Sequence, residues 1–282
     1  MKNFIIRTIT SVFFVAAIVT SFLNVQAMVC LFALVTGMAI WEYCGLVNDR
    51  PFIFINRFIC TVSGVYLFLA MAGYNSGLTP ATVFIPYLVS IIYLMVAELY
   101  LKAKDPINNW AYSMLSQLYI ALPFSLLNVL AFRSDGYIIQ YSYLAPLSVF
   151  VFLWVNDAGA YCIGSLMGRH KLFPRISPGK SWEGSIGGGL LVVAVAWVVW
   201  HFTTLYGVND IGLSSLQWAG LGLVVVVFGT WGDLIESLFK RTLGIKDSGN
   251  ILPGHGGMLD RFDSTLMAVP AAVVYLYTLT LF

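Results

Sequence analysis

Long apolar runs separated by short polar turns dominate the chain. Nine of them, near residues 8–24, 27–47, 58–75, 80–100, 110–132, 142–168, 186–206, 213–231 and 265–282, carry few or no charges over close to a helical membrane span. At about 1.5 Å rise per residue, such a run crosses a hydrocarbon layer roughly 30 Å thick. The pattern predicts an all-α, polytopic integral membrane protein with nine transmembrane helices. Lys2 and Arg7 precede the first run and Val25-Gln26-Ala27 follows it, the form of a signal peptide with its cleavage site. A second hydrophobic span follows almost at once, so the first reads as a retained helix. Pro86, Pro123, Pro146 and Pro270 lie inside runs and predict kinks, because neighbouring helices can re-satisfy the freed carbonyls.

Composition agrees with a lipid solvent. Hydrophobic residues make up 59% of the chain and charged residues 10%, with a mean hydropathy of +0.85, which excludes a disordered chain and a nucleic-acid-binding module. A net charge of +2 does not by itself call for a polyanionic partner. Cys30, Cys44, Cys60 and Cys162 sit in apolar stretches without a C-x-x-C pair, and read as small buried side chains. Cytoplasmic loops of membrane proteins are enriched in Lys and Arg. With the N-terminus cytoplasmic, fourteen of these residues fall on the inner side and Arg133 alone falls opposite. This places the chain in the cell's inner membrane, with the C-terminus outside.

Polar chemistry is unevenly spread. Residues 1–140 read as scaffold or lipid-facing wall, with Glu42 and Glu98 as structural carboxylates near cytoplasmic helix ends. Residues 141–282 read as the catalytic region, because segments 157–184 and 232–264 hold nearly every group able to bind a metal or phosphate, on one side of the membrane. Asp157, Tyr161, Gly164 and Gly168 share a helix face. The glycines suit close helix packing, whereas an acid in an apolar span needs a cation, a metal or water. The basic loop 169–184 offers Ser177, Lys180 and Ser181 to an anion; with Pro174 in place of a glycine and no preceding strand, it is not a P-loop.

Asp233, Glu236, Ser237 and Lys240 fall at helical offsets zero, three, four and seven. A carboxylate and hydroxyl set of this kind suits Mg²⁺, while Glu236 with Lys240 is equally an intrahelical ion pair. Then follow Lys246, Asp247 and a turn-rich loop ending in His255-Gly256-Gly257, after which Asp260, Asp263 and Ser264 open the last helix.

The string Ser237-x-Phe239-Lys240-Arg241, four residues, Lys246-Asp247, and then His255-Gly256-Gly257-x-x-Asp260-Arg261-x-Asp263 resembles the signature of the phosphatidate cytidylyltransferases, also called CDP-diacylglycerol synthases. No departure interrupts it. The stretches Asp157-x-x-Ala160-Tyr161 and Ser177-Pro178-x-Lys180-x-Trp182-Glu183-Gly184 resemble that family too, although Gly179 stands where a lysine is more usual. The likeness is strong from about residue 150 onward and elsewhere extends only to hydrophobic helices.

The resemblance implies that CTP and phosphatidate give CDP-diacylglycerol and pyrophosphate, with Mg²⁺ required and any second cation left open. It implies Asp233 and Asp260 as metal-binding acids, Ser237 and Lys240 close to the metal, and the His-Gly-Gly loop near the nucleotide. Residue chemistry then suggests Lys240, Arg241 and Lys246 on phosphates, with Asp157, Asp247 and Asp263 orienting them or completing the metal shell. Ser177, Lys180, Ser181, Gly256, Gly257 and Arg261 complete the expected contacts to CTP. The expected partners are CTP and a membrane lipid, not nucleic acid; a homodimer stays open. A transporter would predict polar groups near the midplane and an internal repeat, and neither is visible. The Asp-Gly-x-x-Ala-Arg run of CDP-alcohol transferases is absent. A paralogue acting on another acceptor or nucleotide fits the same residues.

Overall fold

A computed structural model describes residues 2–134, 138–208, 211–249 and 256–279, with only the backbone for residues 2–9. The chain is an all-α polytopic membrane protein. Its helices are α1 (Lys2–Phe22), α2 (Val25–Asn48), α3 (Arg57–Asn75), α4 (Ile85–Leu101), α5 (Pro106–Leu115), α6 (Leu122–Ala131), α7 (Leu144–Met167), α8 (Trp182–Leu205), α9 (Ser215–Thr242), α10 (Leu259–Phe262) and α11 (Thr265–Leu279). Among the described residues, eight helical segments are long and apolar enough to cross a membrane, from Val25–Asn48 to Leu259–Leu279. The apolar stretch Thr10–Phe22 within α1 is shorter.

Contacts divide the chain into two compact units: Met1–Tyr141 with Leu243–Phe262, and Ser142–Thr242 with Asp263–Phe282. In the first unit, α2 packs on α1 and α3, and α3 packs on α6. Between α5 and α6 the helix widens into a π turn, Ser116–Ala121, immediately before Pro123. Proline lacks an N–H and crowds the preceding turn, so the wider turn absorbs it without ending the span. Buried amides line this segment. Gln117 Nε2 donates to the Cys60 carbonyl at 2.9 Å, and Asn128 Nδ2 donates to the Phe68 carbonyl at 3.3 Å. An antiparallel hairpin, β1 (Phe132–Ser134) and β2 (Ile139–Tyr141), follows, and the Tyr141 hydroxyl donates to the Phe22 carbonyl at 2.8 Å.

In the second unit, α7, α8 and α9 pack in succession and α11 packs on α9. Gly159 and Gly188 let α7 and α8 nearly touch, since a Cβ on Gly159 would lie 3.1 Å from the Gly188 Cα. Gly164 and Gly184 continue the seam, so the expected small-residue contact is present.

Three local expectations change. Segment 169–184 is not an irregular loop: β3 (Lys171–Phe173) and β4 (Ser177–Ser181) pair as an antiparallel hairpin before α8 begins. Asp263 and Ser264 do not lie in a helix with Asp260; they form a turn between α10 and α11. Of the four prolines, Pro86 stands at a helix N-terminus and Pro146 in the first turn of α7, where no intrahelical N–H is needed. Pro123, just after the π turn in the continuous span Pro106–Ala131, and Pro270 are the two interior ones.

Candidate active site

In the second unit the site begins with a helix cap. Ser181 starts α8 by accepting a hydrogen bond from the Gly184 amide at 3.2 Å, satisfying one of the orphan donors at a helix start. Two residues later, the Glu183 carboxylate reaches back to the hairpin. It accepts from the Arg169 amide at 3.2 Å and the His170 amide at 3.1 Å, and meets the His170 ring Nδ1 at 2.6 Å. Glu183 therefore latches the hairpin to the helix, which accounts for an acid inside a basic segment.

The latched hairpin presents Lys180 to α9. Lys180 Nζ lies 2.5 Å from Asp233 Oδ2, and the Ser237 hydroxyl donates to Asp233 Oδ1 at 3.1 Å, one helical turn along. Gly232 is what lets Asp233 come near the turn before α11: a Cβ there would stand 2.6 Å from the Asp263 carbonyl oxygen and 3.1 Å from the Ser264 Cα. Asp263 accepts from the Ser264 amide at 2.5 Å, and its carboxylate lies within electrostatic reach of Asp233, Asp157 and Lys180. With all four ionised, three carboxylates and one ammonium leave a formal charge of −2. Asp157 and Lys180 also line a cavity of about 340 Å³ with Asn156, Tyr161, Ser177, Ser181, Ser185 and Thr230. Further along α9, Lys240 pairs with buried Glu236 at 2.6 Å, and Arg241 is exposed at the helix end.

The first unit holds the other acid. Leu259 and Phe262 of the single-turn α10 are buried, Phe262 stacking edge-on against Phe14 and Phe124 with ring centroids 5.5 and 5.3 Å apart. Asp260 and the exposed Arg261 share this turn. Asp260 Oδ2 accepts from the Ser248 amide at 2.8 Å, the Ser248 hydroxyl at 2.9 Å and the Gly257 amide at 2.8 Å. Gly256 takes a φ of 81°, and a Cβ there would fall 2.6 Å from Asp260 Oδ2, so both conformation and space require glycine. Lys246 and Asp247 are exposed in the same segment. His255 lies outside the described residues.

Glu42 is the group whose place sequence reasoning missed. It is buried on α2, hydrogen-bonds the Ser248 hydroxyl and accepts from the Met258 amide at 2.7 Å. An acid in an apolar span was the available signal, but nothing in the spacing links residue 42 to residue 248.

The donors around Asp233 suit a hard divalent cation: carboxylates and a hydroxyl, with an excess of negative charge. Among the described residues, no three His, Cys, Asp or Glu side chains converge closely enough to cage a metal alone.

Comparison with known proteins decides the family. A model of the cytidylyltransferase family matches residues 5–279. The chain belongs to this family. The phosphatidate cytidylyltransferase of Haemophilus influenzae is 34% identical over 255 residues, covering 85% of this chain and 87% of its own length. Two further cytidylyltransferases of the same description, from Staphylococcus epidermidis and Staphylococcus haemolyticus, are 33% identical over 266 residues and 36% over 210. These alignments cover 94% and 74% of the chain, and 96% and 75% of the relatives. The likeness therefore extends through the N-terminal helices, well beyond the signature between 237 and 263.

Proposed function

We propose that the chain transfers the cytidylyl group of CTP to phosphatidate, giving CDP-diacylglycerol and pyrophosphate. A phosphatidate oxygen attacks the α-phosphorus, and the bond from that phosphorus to the bridging oxygen of the β-phosphate breaks. Two polyanions must meet, and the charge of the leaving pyrophosphate must be neutralised, so positioning and electrostatic stabilisation carry the reaction without a covalent enzyme intermediate. The observation that carries this reading is the grouping of Asp157, Asp233 and Asp263 with Lys180 beside the cavity that Asp157 and Lys180 line, in a chain of the cytidylyltransferase family.

Asp233 would hold Mg²⁺, with Ser237 orienting its carboxylate; Asp260 is the second acid that the family resemblance implies. When bound, Mg²⁺ supplies charge neutralisation to the triphosphate. Lys180 sits on the cavity wall, where its ammonium exchanges Asp233 for a phosphate oxygen as substrate enters. Ser177 and Ser181 add hydroxyls on the same wall. Lys240, Arg241 and Lys246 supply further cations to the phosphates. The acyl chains of the lipid remain in the bilayer, and the headgroup meets CTP at the cytoplasmic face of the inner membrane, the side to which the Lys and Arg distribution assigns segments 157–184 and 232–264.

The test is formation of CDP-lipid from radiolabelled CTP by full-length protein in detergent, offering phosphatidate beside other phospholipids, with EDTA and after Mg²⁺ is restored. Product is expected from phosphatidate alone, lost with EDTA and regained with Mg²⁺. Absence of product from every acceptor overturns the reading, and preference for a different acceptor replaces phosphatidate with that lipid.

A further inference from the structure

We infer that Glu42 is a positioning residue for the transfer reaction: from α2 it fixes the Ser248–Met258 segment, and through it the carboxylate of Asp260. The inference rests on the reaction proposed above and deepens it. Glu42 is 6% exposed, and 206 positions separate it from Ser248 and 216 from Met258. Burying a carboxylate is costly unless it is hydrogen-bonded, and this one is used at both oxygens: Oε1 meets the Ser248 hydroxyl and Oε2 accepts from the Met258 amide at 2.7 Å. The same Ser248 oxygen lies 2.9 Å from Asp260 Oδ2, so its single proton serves one carboxylate at a time. Glu42 and Asp260 are thus one hydroxyl apart.

The glycines of this segment report the same contact. A Cβ on Gly249 would stand 3.0 Å from the Glu42 carboxyl carbon, and one on Gly257 would collide with Glu42 Oε1. Gly257 does not adopt a positive φ, so its backbone conformation is open to any residue. Its requirement is room for Glu42 and for the Ser248 hydroxyl that Glu42 holds. Sequence reasoning gave Gly257 to the nucleotide; the geometry gives its missing side chain to the carboxylate of another helix. Of the neighbouring pair, Gly256 makes room for Asp260, and Gly257 for Glu42 with its Ser248 partner.

The experiment uses full-length Glu42→Gln, Glu42→Ala, Gly257→Ala and the Glu42→Ala/Gly257→Ala double variant, with wild type beside them. Steady-state CDP-lipid formation is measured across Mg²⁺ concentrations, and hydrogen exchange of the Gly257 and Met258 amides is followed in EDTA. Glu42→Ala is expected to lower kcat/KM by about 10- to 100-fold, the scale of losing charge-assisted hydrogen bonds, and to raise the Mg²⁺ needed for half-maximal rate. Glu42→Gln keeps an acceptor for Met258 and should recover part of the rate. Both amides should exchange faster in the Ala variant without metal, a change that mere loss of metal cannot produce.

Gly257→Ala should be costly in wild type and markedly less so once Glu42 is Ala, because the nearer of its two colliding groups is gone and only the Ser248 hydroxyl is left to move aside. Equal cost in both backgrounds, or wild-type kinetics and exchange in Glu42→Ala, overturns the inference. If Glu42→Ala does not insert into membranes, Glu42→Gln and Gly257→Ala carry the test, and unchanged amide exchange in both overturns it. Wild type that makes no CDP-lipid defeats the reaction itself, a separate outcome.

Discussion

Gly232→Ala separates positioning from stability most sharply. The new methyl would begin 2.6 Å from the Asp263 carbonyl oxygen and 3.1 Å from the Ser264 Cα, both backbone atoms that cannot rotate away. Relief to an ordinary contact near 3.4 Å requires the turn and α9 to part by about 0.8 Å. Overpacking of this kind costs roughly 1–3 kcal/mol, offset by about 1 kcal/mol of helix propensity gained over glycine, so net destabilisation is about 0–2 kcal/mol. A misplacement approaching 1 Å between catalytic groups costs about 10²-fold in rate. Turnover should therefore fall about a hundredfold while the detergent-solubilised protein melts within a few degrees of wild type. Gly189→Ala is the control, because its methyl meets only a Val226 side-chain carbon at 3.6 Å. CDP-lipid formation at the wild-type rate in Gly232→Ala, or an equal loss in Gly189→Ala, would refute the role given to the Asp233–Asp263 approach.

Three other outcomes follow from the same geometry. Asp233→Asn and Asp260→Asn should each abolish measurable turnover while expression and membrane insertion persist, read by activity beside detergent gel filtration. Lys180→Met removes the ammonium 2.5 Å from Asp233 and should raise the KM for CTP by about tenfold, with a smaller effect on the KM for phosphatidate. Glu183→Ala unlatches the hairpin; because its His170 partner is largely exposed, melting should hardly change, whereas CTP affinity should weaken several-fold, as measured by titrating CTP at saturating lipid.

Element existence was readable from the apolar runs, each of which coincides with helical structure among the described residues, eight of the segments being long and apolar enough to cross a membrane. Local pairings on one helix were readable too: Asp233 with Ser237 and Glu236 with Lys240 follow from a spacing of four. Pairings across elements were not. Lys180 meets Asp233 because a hairpin, not a loop, carries it, and Ser177-Pro178-Gly179-Lys180-Ser181 has too little alternation to announce a strand. Ser181 reads as an anion contact from composition, yet its hydroxyl caps α8; serine before Trp182-Glu183-Gly184 carries that capping signal as well. Glu42 illustrates the limit: one acid in an apolar helix says that a partner exists, and the partner's address is written only in the fold.

The buried amides of Gln117 and Asn128 bear on how the first unit assembles. Two helices surrounded by lipid gain little from hiding apolar surface from one another, so greasy contacts choose poorly between sliding positions. Here two carboxamides, eleven residues apart on one helix, bite the backbone of α3 at Cys60 and Phe68, like teeth on a rack. Sliding by one helical turn, about 5.4 Å, disengages both at once. Axial alignment is thus stepwise rather than continuous.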